Sequence, residues 1–215
     1  MSLDAAEIVW TIVVAGGTGA RYGRAKQFEV VGTRRVVDQA AAVARGASDG
    51  VVIVVPPEAV SSEGGVAGGA TRSESVRAGL AAVPAEATIV CVHDAARPFA
   101  SADLFAAVIK AVVDGADGAV PGIAVTDTIK RIGADNVVVD TPPRETLVAV
   151  QTPQAFRASA LRAAHAGGSE ATDDATLVEL CGGRVVVVTG EQTNRKITNR
   201  DDLTWAREHA DAAGL

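Results

Sequence analysis

The sequence predicts an α/β layered protein built on a largely parallel sheet. Four continuously apolar runs rich in Val and Ile recur, at Ile8 to Val14, Val51 to Val55, Thr88 to Val92 and Arg184 to Thr189. A strand covered on both faces has no solvent side to alternate with, so unbroken runs of this kind mark parallel-sheet strands. Helical patterns with their own start signals lie between them, and strand–helix alternation calls for right-handed crossovers. In such sheets ligands bind at the carboxyl ends of the strands, which is where functional residues are expected.

The elements follow in order. Ile8 to Val14 runs into the glycine-rich segment AGGTGARYGRAK. Val51 to Val55 is followed by Pro56 to Gly69, rich in Gly, Ser and Pro, which reads as a mobile surface loop with little reason to pack. Thr71 and Glu74 then form a capping box that opens a helix. The run ending at Val92 leads to Ser101, a helix start ahead of Leu104, Phe105, Val108 and Val112, with Gly115 as the stop. Val125 to Val139 carries alternating and β-branched residues around a turn signal at Gly133 to Asn136, a β-hairpin projecting from the sheet. Thr172 before Asp173 and Asp174 starts another helix, which Gly182 and Gly183 end. Asn199 opens the last helix, with Asp201 and Asp202 in the first turn, where the helix dipole favours acids. No repeat or linker interrupts this order, so residues 1–215 are expected to form one domain.

Composition narrows the function. Twenty Lys and Arg against 26 Asp and Glu leave a net charge of −6, which works against non-specific attraction to nucleic acid or anionic membranes. An aromatic content of 3% provides few platforms for stacking bases. Cys91 and Cys181 lie far apart with no metal-ligand spacing and read as reduced packing residues. The N-terminal apolar run meets glycines well before the roughly 20 residues a bilayer span needs, so a cytoplasmic protein is expected.

Two strand ends carry chemistry. In AGGTGARYGRAK, glycines allow backbone amides to approach phosphate oxygens, and Arg21, Arg24 and Lys26 add positive charge. The spacing Gly17, Gly19, Gly23 is not that of a dinucleotide fingerprint, and there is no GK followed by Ser or Thr. Basic residues inside the loop favour a triphosphate. The third run ends in His93, Asp94 and Arg97. An acid at a strand end beside a triphosphate is well placed to hold Mg²⁺, directly or through water. His93, closing an apolar strand, is expected to support the site from within the core.

With AGGTGARYGRAK come GGATRSESVRAGL, VHDAARP, TDTIK, QTPQAF, TDDATLVE and RKIT, in this order. This series resembles the 2-C-methyl-D-erythritol 4-phosphate cytidylyltransferases, from about Ile12 to Leu203. The related ribitol-5-phosphate cytidylyltransferases are also similar, and the acceptor stays open between the two. The resemblance implies a three-layer, Rossmann-like, mixed but mostly parallel sheet of nucleotide-diphospho-sugar transferase type with a projecting β-arm at 125–147. It implies attack of a polyol phosphate on the α-phosphate of CTP, release of pyrophosphate and a need for Mg²⁺. By the same resemblance Arg21 and Lys26 stabilise charge on the α-phosphoryl group, and Ala15, Gly16, Gly17 and Gly19 bind the nucleotide. Gly69 and Ser75 contact cytosine, and Asp94 lies near the metal and ribose. Arg97, Thr128 and Thr152 gather at the substrate, while Arg144 and Lys196 position the attacking phosphate. The arm implies a homodimer in which Thr128 enters the neighbouring subunit's site.

Three positions depart from that pattern. Ala25 stands where a proline usually precedes the lysine, so the loop is expected to be less rigid. Ala70 replaces an acid or hydroxyl that assists base recognition, which puts selectivity for CTP in question. Thr126 replaces an arginine common in the arm, which bears on how the acceptor is held.

Overall fold

Residues 6–17 and 25–215 are described by the computed structural model. The strands are β1 (Val9–Val14), β2 (Val30–Val31), β3 (Arg34–Arg35), β4 (Gly50–Val55), β5 (Val66–Ala67), β6 (Ile89–Asp94), β7 (Gly118–Ala124), β8 (Arg131–Ile132), β9 (Val138–Asp140), β10 (Val148–Val150), β11 (Gln154–Arg157) and β12 (Val185–Thr189). The helices are α1 (Val36–Ala47), α2 (Val60–Glu63), α3 (Arg72–Ala82), α4 (Ala102–Val113), α5 (Ala158–Ala166), α6 (Asp174–Leu180) and α7 (Arg200–Ala213).

The main sheet runs β5, β4, β1, β6, β11, β7, β12, with β10 pairing further along the same edge of β7 as β11. Strands β10 and β11 are antiparallel to their neighbours, and the other pairings are parallel, giving the expected mixed but mostly parallel sheet. β1 sits between β4 and β6. The connections therefore reverse direction at the carboxyl end of β1, which opens a crevice there.

Period-two alternation distributes the strand residues between two helical layers. Val9 and Val13 of β1, with Ile89 and Cys91 of β6, pack under Val37, Ala40 and Ala44 of α1 and Phe105, Val108 and Val112 of α4. Ile12 of β1, with Val52, Val54, Val90 and Val92, packs under Val76 and Leu80 of α3, Leu161 of α5 and Leu177 of α6. The close approach of α3 needs Gly79, where a Cβ would stand 2.6 Å from the Ile12 side chain. A third cluster joins Leu203, Ala206 and Ala210 of α7 to Val31, Val36 and Ile197.

The helix-start signals at Thr71, Ser101 and Asn199 are N-caps in the structure, and Thr71 and Asn199 each form a full capping box. The start expected at Thr172 falls one residue later, on Asp173, whose carboxylate accepts from the Thr176 amide. Residues 56–69 are more ordered than their composition suggests. Pro57–Ala59 forms a 3-10 turn with Ala59 buried, α2 follows, and β5 extends the sheet edge beside β4. Cys91 is buried, which pushes its thiol up to about 12, but Cys181 is exposed and is not a core packing residue. The expected hairpin has its turn at Ala134–Asn136, with Asp135 and Asn136 both at φ 58°, and β8 pairs with β9 around it. Every residue from 126 to 141 is exposed.

Candidate active site

The crevice at the end of β1 holds a cavity of about 600 Å³ lined by Ala15, Gly16, Gly17, Lys26, Gly69, Ser75, Asp94 and Lys196, among others. The glycine-rich segment forms one wall. Gln27, itself buried, donates from Nε2 to the carbonyls of Ala15 (2.9 Å) and Gly17 (3.0 Å), so it ties the loop to the 3-10 turn that begins at Lys26. Gly19 and Arg21 lie outside the described residues.

The opposite wall is the start of α3. Ser75 Oγ donates to the Thr71 carbonyl (3.0 Å) and accepts from the Gly69 amide (3.2 Å). The Glu74 carboxylate accepts from the Ala70 and Thr71 amides at 2.6 and 3.2 Å. Gly69 needs to be glycine here, because a Cβ would lie 2.3 Å from that of Glu74. The wall is thus a helix N-terminus whose first amides are held in place by its own cap.

Asp94, at the end of β6, forms the floor. Lys196 Nζ lies 2.6 Å from Oδ2 and Arg72 Nε 3.2 Å from Oδ1. Burial alone would raise the Asp94 carboxyl's pKa, but the charges of Arg72 and then Lys196 override it and hold it well below the usual carboxylate range. Arg72 continues the chain of charges: Nη1 reaches Asp174 Oδ2 at 2.8 Å, and Asp174, fully buried, also accepts from His165 Nε2 at 2.9 Å. Burial depresses the Arg72 pKa, but Asp94 and Asp174 more than offset this and raise it.

Behind the floor, His93 Nε2 faces the Arg97 carbonyl at 3.1 Å, which can only accept, so Nε2 carries the ring proton. Nδ1 then accepts from the Thr152 hydroxyl (3.1 Å), whose oxygen accepts from the Asp94 amide (3.0 Å). Burial pushes His93 down to about 4, which keeps it neutral. It is a support, as its place on an apolar strand predicts. Thr152, expected at the substrate, is buried, and its hydroxyl fixes the Asp94 backbone.

A second cavity of about 620 Å³ adjoins the first, and Lys196 lines both. Arg97 and Arg195 also line it. Arg97 donates to the carbonyls of Asn194 (2.8 Å) and Val150 (3.3 Å). Lys26, Asp94 and Lys196 therefore converge on one cleft, with Arg97 beside it, but Thr128 and Arg144 line neither cavity. Both are exposed on the arm, where Arg144 donates to the Thr126 carbonyl at 2.8 Å. Reading single motifs missed Arg72 and Gln27, although both lie beside residues those motifs single out. Arg72 directly follows the Thr71 cap, and no local signal shows its distant partners.

The family model for 2-C-methyl-D-erythritol 4-phosphate cytidylyltransferase matches residues 9–210. The chain belongs to this family. It is 43% identical over 212 residues to the 2-C-methyl-D-erythritol 4-phosphate cytidylyltransferase of Rhodococcus jostii, covering 93% of each chain. It is also 43% identical to a bifunctional enzyme IspD/IspF of Nitratidesulfovibrio vulgaris, covering 90% of this chain and 56% of that one. The chain thus spans about half the length of the bifunctional relatives it matches. Among solved structures, the family member from Thermus thermophilus superposes with a TM-score of 0.80 at 36% identity, over 93% of this chain and 98% of that one. A 4-diphosphocytidyl-2C-methyl-D-erythritol synthase from Anaerococcus prevotii gives a TM-score of 0.82 at 28% identity, over 95% and 99%.

Proposed function

We propose that this chain transfers the cytidylyl group of CTP to 2-C-methyl-D-erythritol 4-phosphate, releasing pyrophosphate. The observation that carries the reading is the convergence of Lys26, Asp94 and Lys196 on a cavity between the glycine-rich segment and the capped start of α3, with a second basic cavity sharing Lys196. An oxygen of the acceptor phosphate attacks the α-phosphorus of CTP, and the bond to the bridging oxygen of the β-phosphate breaks. Pyrophosphate leaves with the electron pair. No covalent enzyme intermediate is needed, so the work falls on positioning and charge stabilisation.

In this reading Lys26 faces the triphosphate, a task the family resemblance also gives Arg21, and Lys196 at the junction of the cavities holds the attacking phosphate near the α-phosphorus. Gly69 and Ser75 shape the base site. Ser75 acts there through the amide it fixes, and Ala70 contributes only backbone. Asp94 fits Mg²⁺ as a single ligand: it is an ionised carboxylate facing the cleft, and no group of three or more metal-ligating residues exists among the described residues. Phosphate oxygens and water would complete the shell, as is usual for Mg²⁺, which neutralises phosphate charge when bound.

The arm at 125–147 is assigned to a homodimer. Thr128 and Arg144 line neither cavity of their own chain, while Ile132, Val137, Val138 and Val139 expose apolar surface for a neighbour. A cytoplasmic reaction fits the small charged substrates, and no helix among the described residues is long and apolar enough to cross a membrane. The test is pyrophosphate release from CTP and Mg²⁺ with methylerythritol phosphate or ribitol 5-phosphate. Release with the first supports the reading. Release with ribitol 5-phosphate alone moves the chain to the related specificity.

A further inference from the structure

Arg195 is the most available cation in the second cavity. Lys196 is engaged by Asp94 at 2.6 Å, and two nitrogens of Arg97 are taken up by backbone carbonyls. The Arg195 guanidinium makes no hydrogen bond among the described residues, and its one carboxylate neighbour, Asp202, stands 3.6 Å away. The Asp202 carboxylate is held by its other oxygen, Oδ2, which accepts from the amides of Thr198 (2.8 Å) and Asn199 (3.0 Å), while Oδ1 faces Arg195.

Arg195 is nonetheless held in place. Its guanidinium carbon lies 4.4 Å from the centre of the Trp205 ring. Trp205 stacks on His209 at 5.0 Å with 8° between the planes, and Phe99 meets both rings edge-on. Two of the chain's seven Phe, Trp and Tyr residues thus meet at one spot with His209, and both Arg195 and Trp205 line the cavity. A guanidinium resting on an aromatic ring keeps its N–H donors at the edge, where a phosphate can take two of them at once.

We propose that Arg195, supported by Trp205, binds the phosphate of the acceptor and thereby sets the affinity for that substrate rather than for CTP. This rests on the function proposed above and adds a phosphate-binding residue beyond those the family resemblance implies. The ligand chemistry is a phosphate dianion with two sources, the acceptor or the nucleotide, and the kinetics separate them.

Steady-state rates are measured with CTP and methylerythritol phosphate for the wild type, Arg195→Ala, Arg195→Lys and Trp205→Phe. Arg195→Ala should raise the acceptor KM about 10-fold or more while the CTP KM moves less than about twofold. Arg195→Lys should recover only part of the loss, because charge without the planar fork restores one contact. Trp205→Phe, which keeps a ring in the cluster, should give a smaller rise in acceptor KM. An unchanged acceptor KM in Arg195→Ala, or an equal rise in both KM values, overturns the proposal. If the wild type uses only ribitol 5-phosphate, the function reading fails on its own and the same comparison runs on that acceptor. If no polyol phosphate reacts, calorimetric titration with inorganic phosphate decides: weaker binding by Arg195→Ala supports the site, and equal binding by both proteins overturns it.

Discussion

The two regions that bear the expected site residues are built in opposite ways. At the strand ends, the charges around Asp94 are braced from behind: Asp94 by Arg72 and Lys196, Arg72 by Asp174, Asp174 by His165, and the Asp94 backbone by Thr152 and His93. On the arm, Thr128 and Arg144 stand exposed, and the described contacts of the Arg144 side chain reduce to one carbonyl of the same arm. The strand-end region is pre-organised by its own chain. The arm brings Thr128 and Arg144 to neither cavity, so in the proposed homodimer its contribution depends on a surface from the neighbouring chain.

The largest expected effect breaks the braced half. Arg72→Met removes the cation shared by Asp94 and Asp174 and leaves a fully buried carboxylate with only His165. Losing one partner of a buried ion pair typically costs about 3–5 kcal/mol. Urea unfolding should show a loss of that order, and a loss below about 1 kcal/mol would mean that the network does not brace the wall.

The next test uses pH. His93 is pushed down to about 4 by burial, against an ordinary value of 6.5. The unfolded chain takes up this proton near 6.5 and the folded chain only near 4, so the unfolded state binds more protons in between. Stability from this group is complete above pH 6.5 and falls as pH drops towards 4, by on the order of 3 kcal/mol. Asp94, with its lowered value, loses its contribution only below the ordinary carboxylate range, outside that window. Unfolding free energies of wild type and His93→Gln from pH 7 to 4 should converge as pH falls, and parallel curves would refute the assignment.

What was legible in the sequence follows the same division between local and distant causes. The capping box at Thr71 and Glu74 spans three residues, and its signal is complete within them. Arg72 finds its partners 22 and 102 positions away, so no window along the chain contains the network. Strand β7, GAVPGIA, was hidden for another reason. Its Gly and Pro resemble turn punctuation, yet a Cβ on Gly118 would lie 2.7 Å from the Phe156 ring, and one on Gly122 2.8 Å from Val187. These glycines are packing residues, answering side chains from β11 and β12. The composition of the glycine-rich loop marks it in sequence as a candidate for phosphate, but Gln27, which fastens its described start, carries no such mark, because a buried glutamine has no sequence sign of its own.

A smaller effect tests whether the arm completes a neighbour's site. Lys26→Ala and Arg144→Ala each lower turnover in this reading, but from the two different halves. If the sites are shared across a homodimer, mixing the inactive variants and allowing subunits to exchange leaves one intact site in each mixed dimer, restoring about a quarter of wild-type activity. No recovery after demonstrated exchange would place both residues in one chain's site and remove the contrast between the regions.

The smallest effect sharpens the strand-end half at the residue before Lys26. Ala25 stands where the resemblance leads one to expect proline, but its φ of −72° already lies within the range a proline ring imposes. Its amide donates no hydrogen bond to a described residue, and its carbonyl accepts from the Phe28 amide at 3.1 Å, which proline leaves intact. The folded conformation thus tolerates proline, and the main effect of Ala25→Pro is to restrict the unfolded chain. A gain of about 0.4–1 kcal/mol is expected, which for a chain of this size raises Tm by a few degrees at most. Because the substitution limits the excursions of the segment that carries Lys26, the KM for CTP should fall slightly or hold. A lower Tm, or a higher KM for CTP, would show that this segment needs a conformation proline forbids, and that the alanine serves the loop by leaving it free to move.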